Sequence, residues 1–83
     1  MEIIVIELLV GALEKTLDFM VPAQVPVSSV IPEIIRLVEQ TNIGISIDAE
    51  RPMLFDLERG VPLLPQESLA QANIHYGHSL LLI

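Results

Sequence analysis

The sequence contains no cysteine and no tryptophan, and only four of its 83 residues are lysine or arginine. Without cysteine the chain can form neither a disulfide framework nor a thiolate site, which fits a reducing compartment. The four basic residues are scattered, and eleven acidic residues give a net charge of −7. Phosphate binding needs clustered lysine and arginine, so we expect no nucleic-acid partner, and anionic lipid is unfavourable for the same reason.

Long hydrophobic segments are also missing. No apolar run approaches the roughly 20 residues that a membrane-spanning helix needs. The apolar stretch at residues 3–13 carries Glu7 in its middle and has no basic residue before it, unlike a secretory signal peptide. We therefore expect a cytoplasmic protein without direct membrane insertion. The length allows one domain, residues 1–83, and the apolar share of 52% is high enough that part of it should lie on the surface.

Residues 21–42 contain the clearest periodic pattern in the chain. Two prolines, Pro22 and Pro26, precede a segment with an apolar residue every three or four positions. This spacing predicts a helix over residues 28–41 with one buried face. Ser28 or Ser29 can cap its first N–H groups, and a cap at Ser29 would put Pro32 in the first turn, where no intrahelical bond is lost.

The other apolar segments are short and rich in valine, isoleucine and leucine, so they predict strands. These strands cover residues 2–9, 15–21, 52–57, 61–64 and 79–83. Pro62 places the fourth strand at an edge of the sheet, because proline cannot donate a ladder hydrogen bond. Ser68 can cap a brief helical turn over residues 69–71, and the loop at residues 43–50 is apolar enough to tuck under the domain.

This order of elements predicts an α+β, β-grasp fold: a mixed sheet of four to five strands with one helix across it. The first and last strands would be central neighbours. The predicted core comprises Ile3, Val5, Leu17, Phe19, Val21, Val27, Ile31, Ile34, Val38, Phe55, Leu57, Leu69, Ile74, Leu80 and Leu82. The first strand is ambiguous, because inward Ile3 and Val5 put Glu7 on the same face, and a slip of one residue would reverse it.

Two stretches resemble known families. The segment SLAQANIHYGHSLLLI resembles the closing part of ubiquitin-like domains, and the resemblance to ubiquitin runs nearly the whole length. The segment VPAQVPVSSVIPEII, with the approach from Leu17 to Pro22, is similar to the YukD/EsaB-like family of ubiquitin-like proteins of type VII (WXG-type) secretion systems. The same pattern occurs in the cytoplasmic ubiquitin-like domain of membrane components of those systems. The resemblance implies an accessory protein that binds a component of the secretion machinery.

The alternatives are a ubiquitin-like modifier or sulfur carrier whose Gly-Gly tail lies outside this sequence, or the ubiquitin-like domain of a membrane component of the same system. The sequence stops at Ile83, at the end of the predicted final strand, so we expect no conjugation. Alignment with ubiquitin puts Asp56 near the centre of ubiquitin's recognition patch, so ubiquitin-type readers should not bind.

No residue pattern indicates an enzyme, a cofactor or a metal. His75 and His78 lie three positions apart, but two imidazoles at a turn with no carboxylate motif fall short of the usual three or four ligands, so we expect exposed turn histidines. Ser28 and Ser29 have no glycine-flanked elbow and are explained by helix capping. A domain this small with one helix seldom offers a deep pocket.

A protein-binding surface is the remaining candidate site. If the inward residues are as predicted, alternation sends their neighbours to the outer face of the sheet. Such a contiguous apolar face usually marks an interface. We expect it to mediate self-association or docking onto a secretion component. The predicted contact residues are Ile4, Ile6, Leu54, Leu81 and Ile83.

Overall fold

The computed structural model describes residues 2–11, 13–41 and 52–83. Within these residues lie one helix and five strands: β1 (Ile3–Val10), β2 (Lys15–Pro22), α1 (Val27–Thr41), β3 (Leu54–Asp56), β4 (Val61–Pro62) and β5 (Ser79–Leu82). The loop predicted at residues 43–50 lies outside the described residues. No helix in the described ranges is long and apolar enough to cross a membrane.

The strands form one mixed sheet in the order β2-β1-β5-β3-β4. Strands β1 and β5 are parallel neighbours, and the other pairs are antiparallel. Strand β4, with Pro62, lies at an edge, as its proline predicts. The β-grasp fold class is therefore confirmed.

One apolar core joins the buried stripe of α1 to the inner face of the sheet. Two predicted core residues of β2, Leu17 and Phe19, are partly buried and pack against it. The predicted core residues that are fully buried are Val21, Val27, Ile31, Ile34, Val38, Leu69, Ile74, Leu80 and Leu82.

Strand β1 turns the face opposite to the predicted one toward the core. Ile4 and Ile6 are buried, followed by Leu8 and Val10, whereas Ile3 is 56% exposed. The prediction that Ile3 and Val5 point inward is therefore wrong. Both faces of this strand carry aliphatic side chains, so alternation alone does not select one. The observed register leaves Glu7 exposed, and burying an unpaired carboxylate would be costly.

Strand β3 is also reversed with respect to the prediction. Leu54 and Asp56 are buried, Phe55 is half-buried and Leu57 is exposed. The prediction that Phe55 and Leu57 belong to the core is wrong, since it puts Asp56 on the face turned away from the helix. Asp56 instead finds hydrogen-bond donors inside the protein, described below.

Helix α1 starts earlier than its serines predict. Val27 N–H donates to the carbonyl of Glu67, and Ser28 N–H donates to the carbonyl of Pro65. Backbone carbonyls of the segment before residue 68 thus satisfy the first donors, and neither serine is the cap. Pro32 consequently lies in the second turn rather than the first. It removes one intrahelical bond, to the carbonyl of Ser28.

The segment before β5 is organised by local caps, as predicted. Ser68 Oγ accepts from the N–H of Gln71, and Gln71 Oε1 accepts from the N–H of Ser68, a reciprocal capping box. Asn73 has a φ of 58° and Gly77 a φ of 80°. The second value suits the third position of the turn closed by the bond from His78 N–H to His75 O. These turns deliver both histidines to the start of β5.

Candidate functional sites on the sheet

Three of the five predicted contact residues do not reach the surface. Ile4 is 9% exposed, and Ile6 and Leu54 are 0% exposed, because the reversed registers of β1 and β3 turn them into the core. Leu81 is half-buried on the outer face, and Ile83 is 60% exposed. The outer face is apolar nonetheless, but on β1 and β3 the residues next to the predicted ones build it.

The outer face carries one row of apolar side chains across three strands. Leu9 pairs with Leu81, and Leu81 pairs with Phe55, so the three side chains are cross-strand neighbours on the same face. Met53 and Ile83 form a second pair beside Phe55 and Leu81, since the N–H of each donates to the carbonyl of the other. We call these five residues the outer patch.

A polar row borders the outer patch. Glu7 pairs with Asp18 on one side and with Ser79 on the other. Ile3 and Met20 lie on the far side of this row. Strand β5 pairs with β1 only from Glu7 onward, so the start of β1 is separated from the outer patch. The predicted single cluster of both strands is therefore two apolar areas with a polar row between them.

The outer face is acidic. Glu7 and Asp18 are both exposed and directly opposite each other. No outward position of the described strands holds lysine or arginine, because Lys15 pairs with inward Val10. A ligand of this face would therefore meet apolar side chains beside unneutralised carboxylates.

At the other end of β3, Asp56 and His78 form a buried polar pair. Asp56 is 0% exposed and His78 2% exposed, and His78 Nε2 lies 2.8 Å from Asp56 Oδ1. The same oxygen accepts from the N–H groups of Glu58 (2.9 Å) and Arg59 (3.2 Å). The prediction that His78 is an exposed turn histidine is wrong, whereas His75 is exposed.

These contacts determine the charge state of Asp56. Burial by itself raises the pKa of the Asp56 carboxyl, but the hydrogen bond from His78, the N–H groups of Arg59 and Glu58, and the charge of His78 together hold the pKa below its usual value. The carboxylate is thus ionised in the neutral range. The argument that Asp56 occupies the centre of an exposed recognition patch does not hold, since its side chain faces inward.

Two more side chains lie beside His78. The rings of His75 and His78 are in edge-to-face contact, with centroids 4.7 Å apart. Glu58 Oε2 lies 3.8 Å from His78 Nδ1 and accepts a hydrogen bond from the N–H of Ser79 at 2.9 Å. Sequence spacing could not reveal this cluster, because pairing of β3 with β5 brings Glu58 next to histidines that are 17 and 20 positions away.

An apolar groove of about 480 Å³ runs between the start of α1 and the segment around β4. Among the described residues its lining is aliphatic, methionine or proline except for Ser28. No base among these described lining residues is hydrogen-bonded to Ser28, so they form no acid–base pair.

Comparisons with known proteins agree with the fold. Two solved ubiquitin-like domains have a TM-score of 0.80: that of EccD5 from Mycobacterium xenopi, at 21% identity over 100% of this chain and 94% of that chain, and that of the type VII secretion protein ECCD1 from Mycobacterium tuberculosis, at 22% identity over 100% and 99%. A chain of the MycP5-free ESX-5 inner membrane complex matches with a TM-score of 0.78 and 20% identity, over 98% of this chain and 20% of that one.

No curated protein matches the sequence. The profile of the family described as "WXG100 protein secretion system (Wss), protein YukD" matches residues 4–82, nearly the whole chain. The chain therefore belongs to the YukD family of the WXG100 protein secretion system.

Proposed function

We propose that this protein acts without catalysis, as a ubiquitin-like binding module whose outer patch docks onto another protein of a type VII secretion machinery. The observation that carries the proposal is the outer patch itself. Leu9, Leu81 and Phe55 form an unbroken apolar row, and Met53 and Ile83 beside them are exposed. A contiguous apolar surface of this kind usually marks a protein interface.

Family membership supports the choice of partner class. The matching profile describes a secretion-system protein, and one solved neighbour is a chain of a secretion inner membrane complex. A domain that resembles parts of such an assembly has its natural partners among the assembly's proteins. The proposed location is the cytoplasm.

The charge of the outer face favours a different protein over a second copy of this chain. Stacking two copies through the outer patch would bring two rows with Glu7 and Asp18 together, and each chain has a net charge of −7. Like charges brought together at an interface are unfavourable. We therefore propose a partner with apolar anchors flanked by lysine or arginine.

A second candidate is that the chain serves as the ubiquitin-like domain of a membrane component. The similarity to the EccD5 and ECCD1 domains favours it. Both candidates use the same docking face, and the length of the complete gene product distinguishes them.

The test is a double substitution in the outer patch, Leu81→Glu/Ile83→Glu. Tagged protein is purified after cross-linking from cells that carry a complete type VII secretion system, and the partners are identified by mass spectrometry. We expect secretion components with the wild type and their loss with the double variant. Circular dichroism checks that the fold is kept.

The matched control is Val61→Glu/Leu64→Glu, at two exposed aliphatic residues that are 45% and 52% exposed and lie outside the outer patch. It should retain every partner. The proposal fails if the wild type recovers no secretion component, or if the outer-patch variant recovers the same ones. A wild-type dimer in light scattering that only the outer-patch variant disrupts would replace the proposed partner with a second copy.

A further inference from the structure

We infer that Glu58, His75 and His78 form a binding site for one zinc ion, with Asp56 as the residue that orients His78. Glu58 lies in the turn after β3, and both histidines lie in the turn before β5. One potential ligand atom from each of the three residues lies within 4.8 Å of the other two. This inference is independent of the proposed secretion role.

The first observation is an unpartnered nitrogen. Among the described residues, the Nδ1 atom of His78 has no hydrogen-bond partner although the side chain is almost completely buried. Buried polar atoms are nearly always paired, so each exception requires an explanation. This atom lies toward the carboxylate of Glu58, whose Oε2 is 3.8 Å away, too far for a hydrogen bond.

The second observation is the hydrogen bond at the opposite side of the same ring. An ionised carboxylate only accepts, so Nε2 of His78 carries the proton that it donates to Asp56. In the neutral ring the lone pair is then on Nδ1, the atom that points toward Glu58. Histidines that bind zinc usually donate their other ring nitrogen to a carboxylate in this way.

Hydrogen bonds keep the two remaining ligands near His78. The N–H of Ser79 donates to Glu58 Oε2 at 2.9 Å, and the His75–His78 turn is closed by a backbone bond of 3.0 Å. Zinc bonds near 2.0–2.2 Å imply ligand atoms about 3.4 Å apart in a tetrahedron. His75 is exposed and the Glu58 side chain is 46% exposed, so both can rotate the remaining distance.

The donor set fits zinc. Two imidazoles and one carboxylate are a set that zinc uses, whereas calcium and magnesium prefer oxygen ligands. Three protein ligands leave zinc one coordination position for water or for a side chain of another molecule. Removing Asp56 should weaken binding about 10–100-fold, as is usual for residues that orient a ligand.

The test is calorimetric titration of the protein, free of any polyhistidine tag, with zinc chloride. We expect one ion per chain and a loss of affinity of at least about tenfold in each of Glu58→Gln and His75→Gln. Both sites are exposed, so these variants should fold. Glu2→Gln, at an exposed glutamate outside the cluster, is the control and should bind as the wild type does.

Nitrogen-15 NMR of the histidine side chains identifies the ligating atom. Zinc should shift the Nδ1 resonance of His78 and leave Nε2 protonated. The inference is overturned if the wild type binds no stoichiometric zinc, if Glu58→Gln and His75→Gln bind as tightly as the wild type, or if Nε2 is the nitrogen that zinc shifts.

Discussion

The two faces of the sheet contain similar aliphatic residues but differ in what lies against them. The inner face is covered by α1, and Ile6, Leu8 and Leu80 are fully buried there. On the outer face Leu9, Phe55 and Leu81 are only half-buried, and no described helix packs on them. Hydrophobicity alone therefore does not identify the core face. The inner face also accepts a carboxylate, Asp56, because three donors lie within hydrogen-bond distance of its Oδ1 atom there.

The largest expected loss of stability follows from a substitution in this polar part of the inner face. Asp56→Ala leaves His78 and the N–H groups of Glu58 and Arg59 without their acceptor inside the protein. A buried donor that loses its acceptor typically lowers the free energy of unfolding by about 1–3 kcal/mol, and here three donors lose theirs. Urea denaturation measures it. Arg59→Ala, with a half-exposed guanidinium 3.8 Å from Asp56 Oδ2, should cost much less. Equal losses in both variants would contradict a central role for Asp56.

The second largest expected loss of stability comes from truncating an isoleucine in the core, which can be compared with the same truncation on the outer face. Ile34 of α1 is 1% exposed, and its truncation to alanine should cost about 2–5 kcal/mol of unfolding free energy. Ile83→Ala on the outer patch removes the same atoms from an exposed site and should change stability by less than about 0.5 kcal/mol. Similar denaturation midpoints for the two variants would show that the outer face is as buried as the inner one.

Acid should weaken the inner polar pair. The folded-state pKa of Asp56 lies below its ordinary value of 3.8, so its contribution to stability is fully present above that pH. It is lost as the pH falls through the lower, folded-state value. Urea midpoints measured with a chelator between neutral pH and pH 3 should therefore decline more steeply for the wild type than for Asp56→Asn. Parallel profiles would contradict the lowered pKa.

The sequence was sufficient for the fold because its strongest patterns agree with one another. The period of α1, the edge proline Pro62 and the capping residue Ser68 each predict what is observed. The faces of β1 and β3 were not predictable in the same way. Strand β1 is aliphatic on both sides, and in β3 the hydrophobic pattern favours the wrong face.

The candidate sites could not be predicted fully either, because they depend on which strand faces are buried and on which strands are neighbours. The outer patch follows from the register of β1 and β3, so the predicted contact residues on these strands were those of the opposite face. The cluster of Glu58 with the two histidines depends on which strand lies beside β5. His78 is buried because Asp56 is its partner, and nothing in the spacing of the two residues indicates that contact.

The smallest expected effect is on the outer face, where Glu7 and Asp18 are directly opposite each other. Like charges in this position are destabilising, and replacing one of them by an opposite charge should gain about 0.2–1 kcal/mol of unfolding free energy. Asp18→Lys should therefore raise the denaturation midpoint, and the gain should vanish in a Glu7→Gln background, which removes the opposing charge. If the acidic row serves to attract a basic partner, the more stable Asp18→Lys protein should also bind secretion components more weakly at low salt, because its outer face has lost the complementary charge. A gain in stability with undiminished partner recovery would mean that the acidic row has no part in docking.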